Sequence, residues 1–261
     1  MIDSHCHLNS DPLFADRRSL CDRAEAAGVG AFVVIGFDLA SSERAVEIAE
    51  SDSRCFAVVG IHPHDAEKWD DRCALRLRQW AENPRVVAIG EIGMDFYTGR
   101  NNERRLASPE VQARAFRDQL ELAASRCLPV VIHCREAYEE TLNLLEQEAP
   151  PIPILLHCFA GTAEQAERAF ARGWYIGVGG TVTYKANGEL RSIVRQAPGD
   201  RLLLETDAPY LSPEPFRGKF PNVPERIPLI ADHIARVRDT RIEEIAATTD
   251  ANVRRVFSRM P

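Results

Sequence analysis

Two histidines near the start of the chain, His5 and His7, are two residues apart and follow a short apolar run. On a β-strand, side chains two positions apart point to the same face. The pair could therefore bind one cation from a rigid element, or it could be an ordinary buried pair. Its place at the end of a first strand favours the ligand interpretation.

Four further residues that can bind a metal come at or just after the ends of later apolar runs. They are Glu91, His133, His157 and Asp207. Nitrogen and oxygen ligands at the ends of successive buried strands are typical of a metal-dependent hydrolase built on a barrel. A lone buried histidine is usually a core residue with its hydrogen bonds made, but a set of this size indicates a metal centre.

Closure of a barrel would sort these residues into two groups. Strand eight lies beside strand one in a closed barrel, so Asp207 can share one ion with His5 and His7. His133 and His157 end the neighbouring strands five and six, so their rings can converge on a second ion.

The acidic residues have separate expected roles. Glu91 ends the fourth strand and could bridge both ions with one oxygen to each. Glu205 and Asp207 share a face of the last strand, because they are two residues apart. Asp207 is the better ligand since it lies further towards the barrel mouth. Glu205 could support a ligand or hold a weaker third ion.

His62 and His64 form another pair, after the third strand. Pro63 between them distorts simple strand geometry. We therefore expect these two histidines to contact substrate rather than to bind metal.

Eight short apolar runs could position all of these residues. The runs are continuous rather than alternating, which is typical of parallel strands buried on both faces. Helix-like segments separate them, such as residues 109–126 with Ser108 as a helix N-cap. The predicted strands are residues 1–3, 31–37, 56–61, 86–89, 129–132, 153–156, 175–178 and 201–204.

Eight strand–helix units predict an α/β fold of the (β/α)8 TIM barrel type. A final pair of helical segments, residues 227–238 and 242–259, would add a C-terminal helix and close the outer ring. Two long loops, residues 97–107 and 208–224, should lie at the C-terminal face, where catalytic loops of this fold gather. They either bind substrate or are solvated connections. Their notable basic residues are Arg100, Arg104, Arg105, Arg217 and Lys219.

Composition narrows the class of protein. A chain of 261 residues without repeats or linkers suits a single barrel domain spanning residues 1–261. No apolar run approaches the ~18 residues that a membrane span needs, and no signal-peptide pattern is present at the start. The net charge of −7 argues against a bulk nucleic-acid binder. We expect a cytoplasmic protein with no membrane attachment and no obligate protein partner.

The chain has seven cysteines and no C-x-x-C pair. Cys6, Cys134 and Cys158 each adjoin a candidate ligand, so a thiolate ligand is conceivable. Strand alternation argues against it, because neighbours in a strand point to opposite faces. These cysteines are expected to pack outward against helices as small apolar groups, and their use fits a reducing cytoplasm.

Six segments, taken together, resemble the signature segments of the TatD family of metal-dependent deoxyribonucleases. They are residues 2–8, 60–64, 90–96, 129–137, 157–161 and 204–211, and they span nearly the whole chain. The family belongs to the amidohydrolase-like TIM barrels and uses two divalent ions. The resemblance implies one ion held by His5, His7, Glu91 and Asp207, and another held by Glu91, His133 and His157.

The resemblance also implies hydrolysis of DNA, from single-stranded or frayed ends. Two ions suit phosphodiester hydrolysis because the pair stabilises the attacking and leaving oxygens. Glu91 and Asp207 are the expected catalytic residues, with Asp207 as both ligand and proton acceptor. The residues expected to hold phosphates or other parts of the substrate are His62, His64, Arg135, Arg217 and Lys219.

Two other functions are compatible with these residues. A binuclear hydrolase of a small amide, lactone or phosphoester could use the same scaffold, since fold does not fix function. Many such relatives bridge their ions with a carboxylated lysine, whereas Glu91 takes that place here and favours the nuclease. A non-catalytic binding protein should have lost a ligand, and none is missing. Magnesium, manganese and zinc all remain candidate ions.

Overall fold

The computed structural model describes residues 1–99 and 106–261. Eight parallel strands form one sheet in the order of the sequence. They are β1 (Ile2–Cys6), β2 (Ala31–Ile35), β3 (Cys55–Val59), β4 (Val86–Asp95), β5 (Val130–Arg135), β6 (Ile154–Leu156), β7 (Tyr175–Val178) and β8 (Leu202–Leu204).

Helices separate successive strands and follow the last one. None of them, within the described ranges, is long and apolar enough to cross a bilayer. They are α1 (Asp11–Phe14), α2 (Arg17–Ala26), α3 (Leu39–Ser51), α4 (Asp71–Trp80), α5 (Pro109–Ser125), α6 (Tyr138–Glu148), α7 (Ala163–Ala171), α8 (Gly188–Gln196), α9 (Ile227–Arg238) and α10 (Ile242–Val256).

The first and last strands meet and bring the sheet to a nearly closed barrel. Cys6 and Ala208 form an isolated parallel bridge. The His7 N–H donates to the Ala208 carbonyl at 2.7 Å, and the Asp207 N–H donates to the His5 carbonyl at 2.9 Å. The predicted (β/α)8 TIM barrel with an additional C-terminal helix is therefore confirmed.

Side chains of each strand alternate between two apolar cores. On β2, Val33 and Ile35 belong to a cluster inside the barrel, whereas Phe32 and Val34 pack in the layer between strands and helices. The inner cluster also contains Phe257, just beyond α10, together with residues that begin strands. The C-terminal helix thus covers the N-terminal end of the barrel and leaves the C-terminal strand ends for a site.

The fourth strand is longer than the sequence indicated. It was predicted to end at Ile89, but β4 continues to Asp95, so the position of Glu91 at a strand end was wrong. Pairing with β5 resumes after a register shift between Ile89 and Ile92. Gly93 has a φ of +137°, and a Cβ there would clash with the His133 carbonyl. Glycine at this position therefore permits the close pairing of β4 and β5.

Two of the three cysteines beside candidate ligands pack outward, as predicted. The Cys6 thiol lies 3.5 Å from the Val33 carbonyl in the outer core. The Cys134 thiol donates to the Thr141 hydroxyl of α6 at 3.4 Å. Cys158 differs, because β6 ends at Leu156 and strand alternation does not apply to a residue beyond the strand.

Candidate metal centre

Three of the predicted ligands meet where β1 and β8 close the barrel. The Nε2 atoms of His5 and His7 are 3.3 Å apart. Oδ1 of Asp207 lies 3.4 Å from Nε2 of His7 and 3.7 Å from Nε2 of His5. Ligand atoms about 2.0–2.1 Å from a tetrahedral ion stand roughly 3.3–3.4 Å apart, so this set could hold one divalent cation.

A second set forms on the neighbouring strands β4 and β5 and just after β6. Oε1 of Glu91 lies 2.7 Å from Nδ1 of His133 and 2.8 Å from Nε2 of His157. The two ring nitrogens are 3.3 Å apart. These three atoms could hold another cation.

Glu91 stands between the two sets. Its Oε1 faces His133 and His157, whereas its Oε2 lies 3.8 Å from His5 Nε2 and 3.9 Å from His7 Nε2. One carboxylate oxygen thus points to each set, which is the arrangement that a bridging ligand requires.

Hydrogen bonds behind the histidine rings set which nitrogen can bind a metal. Nδ1 of His7 lies 3.1 Å from the Ile35 carbonyl, and a proton donated there leaves Nε2 facing the first set. Nε2 of His133 lies 3.1 Å from Oδ2 of Asp95, which leaves Nδ1 facing the second set. Partners of this kind commonly fix the orientation of metal-binding histidines.

Asp95 is a site residue that the sequence reading missed. Its Oδ2 lies 2.8 Å from Nε2 of His64 as well as near His133. Burial would raise its pKa, but the hydrogen bonds with His133 and His64 outweigh burial and hold the pKa of Asp95 well below its usual range. Reading the fourth strand through to Asp95 would have placed it on the same strand as Glu91.

The protonation states of His5 and Glu91 suit the binding of a cation. Burial, reinforced by His157, holds the pKa of His5 well below its usual range, so this imidazole is neutral. Burial raises the pKa of Glu91, but the surrounding histidines outweigh it and keep the carboxylate charged. Neutral imidazole and charged carboxylate are the metal-binding forms. The donor set therefore fits divalent ions.

His133 shows the competition between proton and metal. Burial lowers its pKa, but hydrogen bonds with Asp95 and Glu91 outweigh burial and raise the pKa to about 9. A divalent ion at Nδ1 would take the place of that proton, so metal binding is expected to release it.

Glu205 lies beneath the ligands and is fully buried. Its Oε1 accepts a hydrogen bond from the Cys158 N–H at 2.5 Å. Among the described residues, Oε2 of Glu205 has no hydrogen-bond partner. Burial, together with the nearby Asp207, raises its pKa well above the usual range. Glu205 forms a further set with His5 and His157 that could hold an ion.

A buried contact between β1 and the segment after β8 supports the first set. Both the N–H and the hydroxyl of Thr206 donate to the Asp3 carboxylate, at 2.9 and 2.5 Å. Burial raises the pKa of Asp3 to about 7 although these hydrogen bonds oppose the shift. The contact fixes the segment that carries Asp207, and sequence alone gave no sign of it.

The residues expected to contact substrate differ in how deeply they are buried. His62 is buried, with Nε2 only 3.7 Å from Oε1 of Glu91, and with Asp95 and His133 it forms another set that could hold an ion. Arg135, Arg217 and Lys219 are exposed. The guanidinium of Arg135 lies 3.6 Å from the centre of the Tyr97 ring. The predicted substrate arginines Arg100, Arg104 and Arg105 lie outside the described residues.

The chain matches known proteins over almost its whole length. The family model described as TatD related DNase matches residues 2–258. The 3'-5' ssDNA/RNA exonuclease TatD of Cronobacter turicensis is 41% identical over 98% of this chain and 97% of its own. The uncharacterized metal-dependent hydrolase YabD of Bacillus subtilis is 36% identical over 98% of both chains.

A solved structure agrees in fold. The TatD homologue YJJV from Escherichia coli superposes with a TM-score of 0.91 and 33% identity, covering 99% of this chain and 98% of that one. Sequence family and fold thus point the same way, and this chain belongs to the family of TatD-related DNases.

Proposed function

We propose that this chain is a metal-dependent nuclease that removes nucleotides from the 3′ end of single-stranded or frayed DNA. The observation that carries the proposal is Glu91, whose two oxygens face two separate histidine sets. A relative that is 41% identical and named as a 3'-5' ssDNA/RNA exonuclease supports the substrate class and the direction. RNA is therefore a second substrate to compare.

The two sets would hold two divalent ions, Mg²⁺, Mn²⁺ or Zn²⁺. When bound, the ions would supply a reactive water near neutral pH and would stabilise the attacking and leaving oxygens of the phosphodiester. The ligands would be His5, His7, Asp207 and Glu91 for one ion, and Glu91, His133 and His157 for the other.

The chain's own groups would move protons and hold phosphate. Asp207 keeps Oδ1 towards His5 and His7, and 12% of its side chain is exposed at the barrel mouth. Its carboxylate is thus placed to accept the proton of the attacking water. His62, His64 and Arg135 would contact the phosphate beside the metal centre, and Arg217 and Lys219 would contact phosphates further along the strand.

Glu205 would support the ligands rather than bind an ion. Its hydrogen bond fixes the backbone of Cys158, directly after His157. We further propose that residues 1–261 act as one metallohydrolase domain in the cytoplasm, with DNA as substrate and no obligate protein partner. All seven cysteines lie in the described part of the chain and are free thiols, which suits a reducing compartment.

The test is a panel assay of metal-depleted protein. Mg²⁺, Mn²⁺ or Zn²⁺ is added back separately, and 5′-labelled single-stranded DNA, duplex DNA and RNA are offered at equal concentrations. We expect a ladder of products shortened from the 3′ end, fastest on single strands, and no ladder without metal. Glu91→Gln is the matched inactive control. Cleavage of a small amide or lactone without cleavage of any nucleic acid would overturn the proposal in favour of a small-molecule hydrolase.

A further inference from the structure

Large exposed apolar side chains are concentrated in the segment that follows the candidate metal ligand Asp207 in the sequence. Among the described residues, four such side chains are exposed, and three of them lie in the segment of residues 208–224 that follows β8. We call this segment the β8 loop. Its three exposed residues are Tyr210, Leu211 and Phe220, with 52, 37 and 64% of their surface exposed. An exposed apolar cluster at the rim of a site commonly marks a binding surface.

Tyr210 has a fixed place next to the candidate ligands. Its N–H donates to the Asp207 carbonyl at 2.8 Å. The centre of its ring lies 6.1 Å from that of His7, with 70° between the ring planes. The Tyr210 ring therefore stands directly beside the first ligand set while half of its surface remains open.

Two cationic side chains of the same loop, Arg217 and Lys219, lie against aromatic rings. The Arg217 guanidinium is 4.3 Å from the centre of the Tyr184 ring, and the Lys219 ammonium is 5.3 Å from that of Phe216. Both cations are exposed. Aromatic surfaces for bases, alternating with cations for phosphates, are how proteins bind single strands without regard to sequence.

Hydrogen bonds within the β8 loop and with Tyr184 and Arg226 on either side of it hold the loop in one shape. The Tyr184 hydroxyl donates to the Ser212 carbonyl at 2.9 Å, and the Ser212 hydroxyl donates to the Lys219 carbonyl at 2.6 Å. Arg226 donates to the Ser212 hydroxyl at 2.8 Å. A surface preformed in this way loses little conformational entropy when a ligand binds.

We infer that the β8 loop is the platform for the substrate strand, with the base of the 3′-terminal nucleotide stacked on Tyr210. Arg217 and Lys219 hold backbone phosphates upstream of it. The inference rests on the proposed nuclease function and deepens it by naming the residue that positions the leaving nucleotide. Because every base has a π-face, Tyr210 can stack on the 3′-terminal base of a strand of any sequence. A strand whose 3′-terminal nucleotide lacks a base cannot make this contact.

The test combines deletion of the ring with deletion of the base. The probes are a 5′-fluorescein decathymidylate with nuclease-resistant phosphorothioate linkages, and the same oligonucleotide with an abasic 3′-terminal residue. Affinity of the metal-loaded protein is measured by fluorescence anisotropy for wild type, Tyr210→Ala and Tyr210→Trp. Leu75→Ala, which removes the exposed apolar side chain on α4, is the matched control.

Tyr210→Ala should weaken binding of the intact probe roughly 5- to 150-fold, the range found when an aromatic that stacks on a base is replaced by alanine. It should leave the already weaker abasic probe unchanged. Tyr210→Trp and Leu75→Ala should bind both probes as wild type does. A misfolded variant would lose both probes equally, so the difference between the probes isolates stacking.

Equal affinity of wild type and Tyr210→Ala for the intact probe would overturn the inference. So would an equal loss for both probes by a Tyr210→Ala protein with a wild-type circular dichroism spectrum. In either case wild-type cleavage of single strands would leave the proposed nuclease intact. Wild-type protein that neither binds nor cleaves any oligonucleotide would overturn both, and would leave the β8 loop as a surface for a protein.

Discussion

At the scale of single residues, His133 uses both of its ring nitrogens. Nδ1 faces Glu91 and Nε2 faces Asp95, so the carboxylate of Asp95 sets the tautomer that exposes a ligand atom to the second set. A change at Asp95 should therefore act on metal binding without removing a ligand.

Asp95→Asn keeps the size of the side chain but weakens its hold on the Nε2 proton. We expect metal affinity at the second set to fall about 10- to 100-fold, as is typical when such supporting partners are changed. Equilibrium dialysis with Mn²⁺ measures the effect. His64→Ala is the control, because it removes the other imidazole that contacts Oδ2 of Asp95 and leaves the pair with His133. Unchanged affinity in Asp95→Asn would show that packing alone orients the ring.

Glu91→Gln removes the charge that faces both sets and keeps the volume. Nuclease activity should fall by orders of magnitude, while the melting temperature changes little. Cys134→Ala should do the reverse, costing about 1 kcal/mol of unfolding free energy and little activity, because its thiol contacts Thr141 on α6. Lost turnover in Cys134→Ala at normal metal content would contradict the assignment of that outward face.

The sequence allowed the six candidate ligands to be selected because each comes at or near the end of an apolar run, and the structure brings them together. Asp95 was missed because the fourth strand was predicted to end at Ile89, whereas β4 continues to Asp95. The sequence also could not reveal the contact between Asp3 and Thr206. Those residues are 203 positions apart, and only closure of the barrel brings them together.

At the scale of elements, glycines in the strands leave room for buried polar groups. A Cβ on Gly177 of β7 would clash with the Oε2 atom of Glu205. A Cβ on Gly93 of β4 would likewise clash with the His133 carbonyl. Helix α9 was predicted over its full length, since its apolar stripe needs no tertiary information.

Gly177→Ala should force Glu205 away from the Cys158 N–H and lower the free energy of unfolding by about 1–3 kcal/mol, as overpacking of a core does. Urea denaturation measures the loss. Gly30→Ala is the matched control, because no atom of the described residues lies within 4 Å of its added Cβ. If both variants were equally stable, the space around Glu205 would be less rigid than the structure indicates.

At the scale of the whole molecule, an acidic chain must bind an acidic polymer. The net charge is −7, so the proposed binding of the nucleic acid depends on the metal ions and a few local cationic side chains. Binding of single strands should then depend only weakly on salt, since each phosphate neutralised contributes about −0.7 to the log–log slope.

Contacts with two or three phosphates give an expected slope of about −1.4 to −2.1 by the same arithmetic. The slope is measured on a nuclease-resistant oligonucleotide across a range of salt concentrations. Lys219→Ala should weaken binding equally for all sequences and reduce the slope, because a phosphate contact reads no base. A slope steeper than about −5 would require an extended basic track, to which Arg100, Arg104 and Arg105 could belong.

The contact between β1 and the segment of Thr206 and Asp207 also determines when activity can arise during translation. His5 and His7 emerge from the ribosome first, but Asp207, and Thr206 that anchors its segment to Asp3, are made about 200 residues later. At about 5–20 residues per second, this interval is roughly 10–40 s. For that time the nascent chain lacks a complete first ligand set, so a nuclease of this architecture cannot be active during most of its own synthesis.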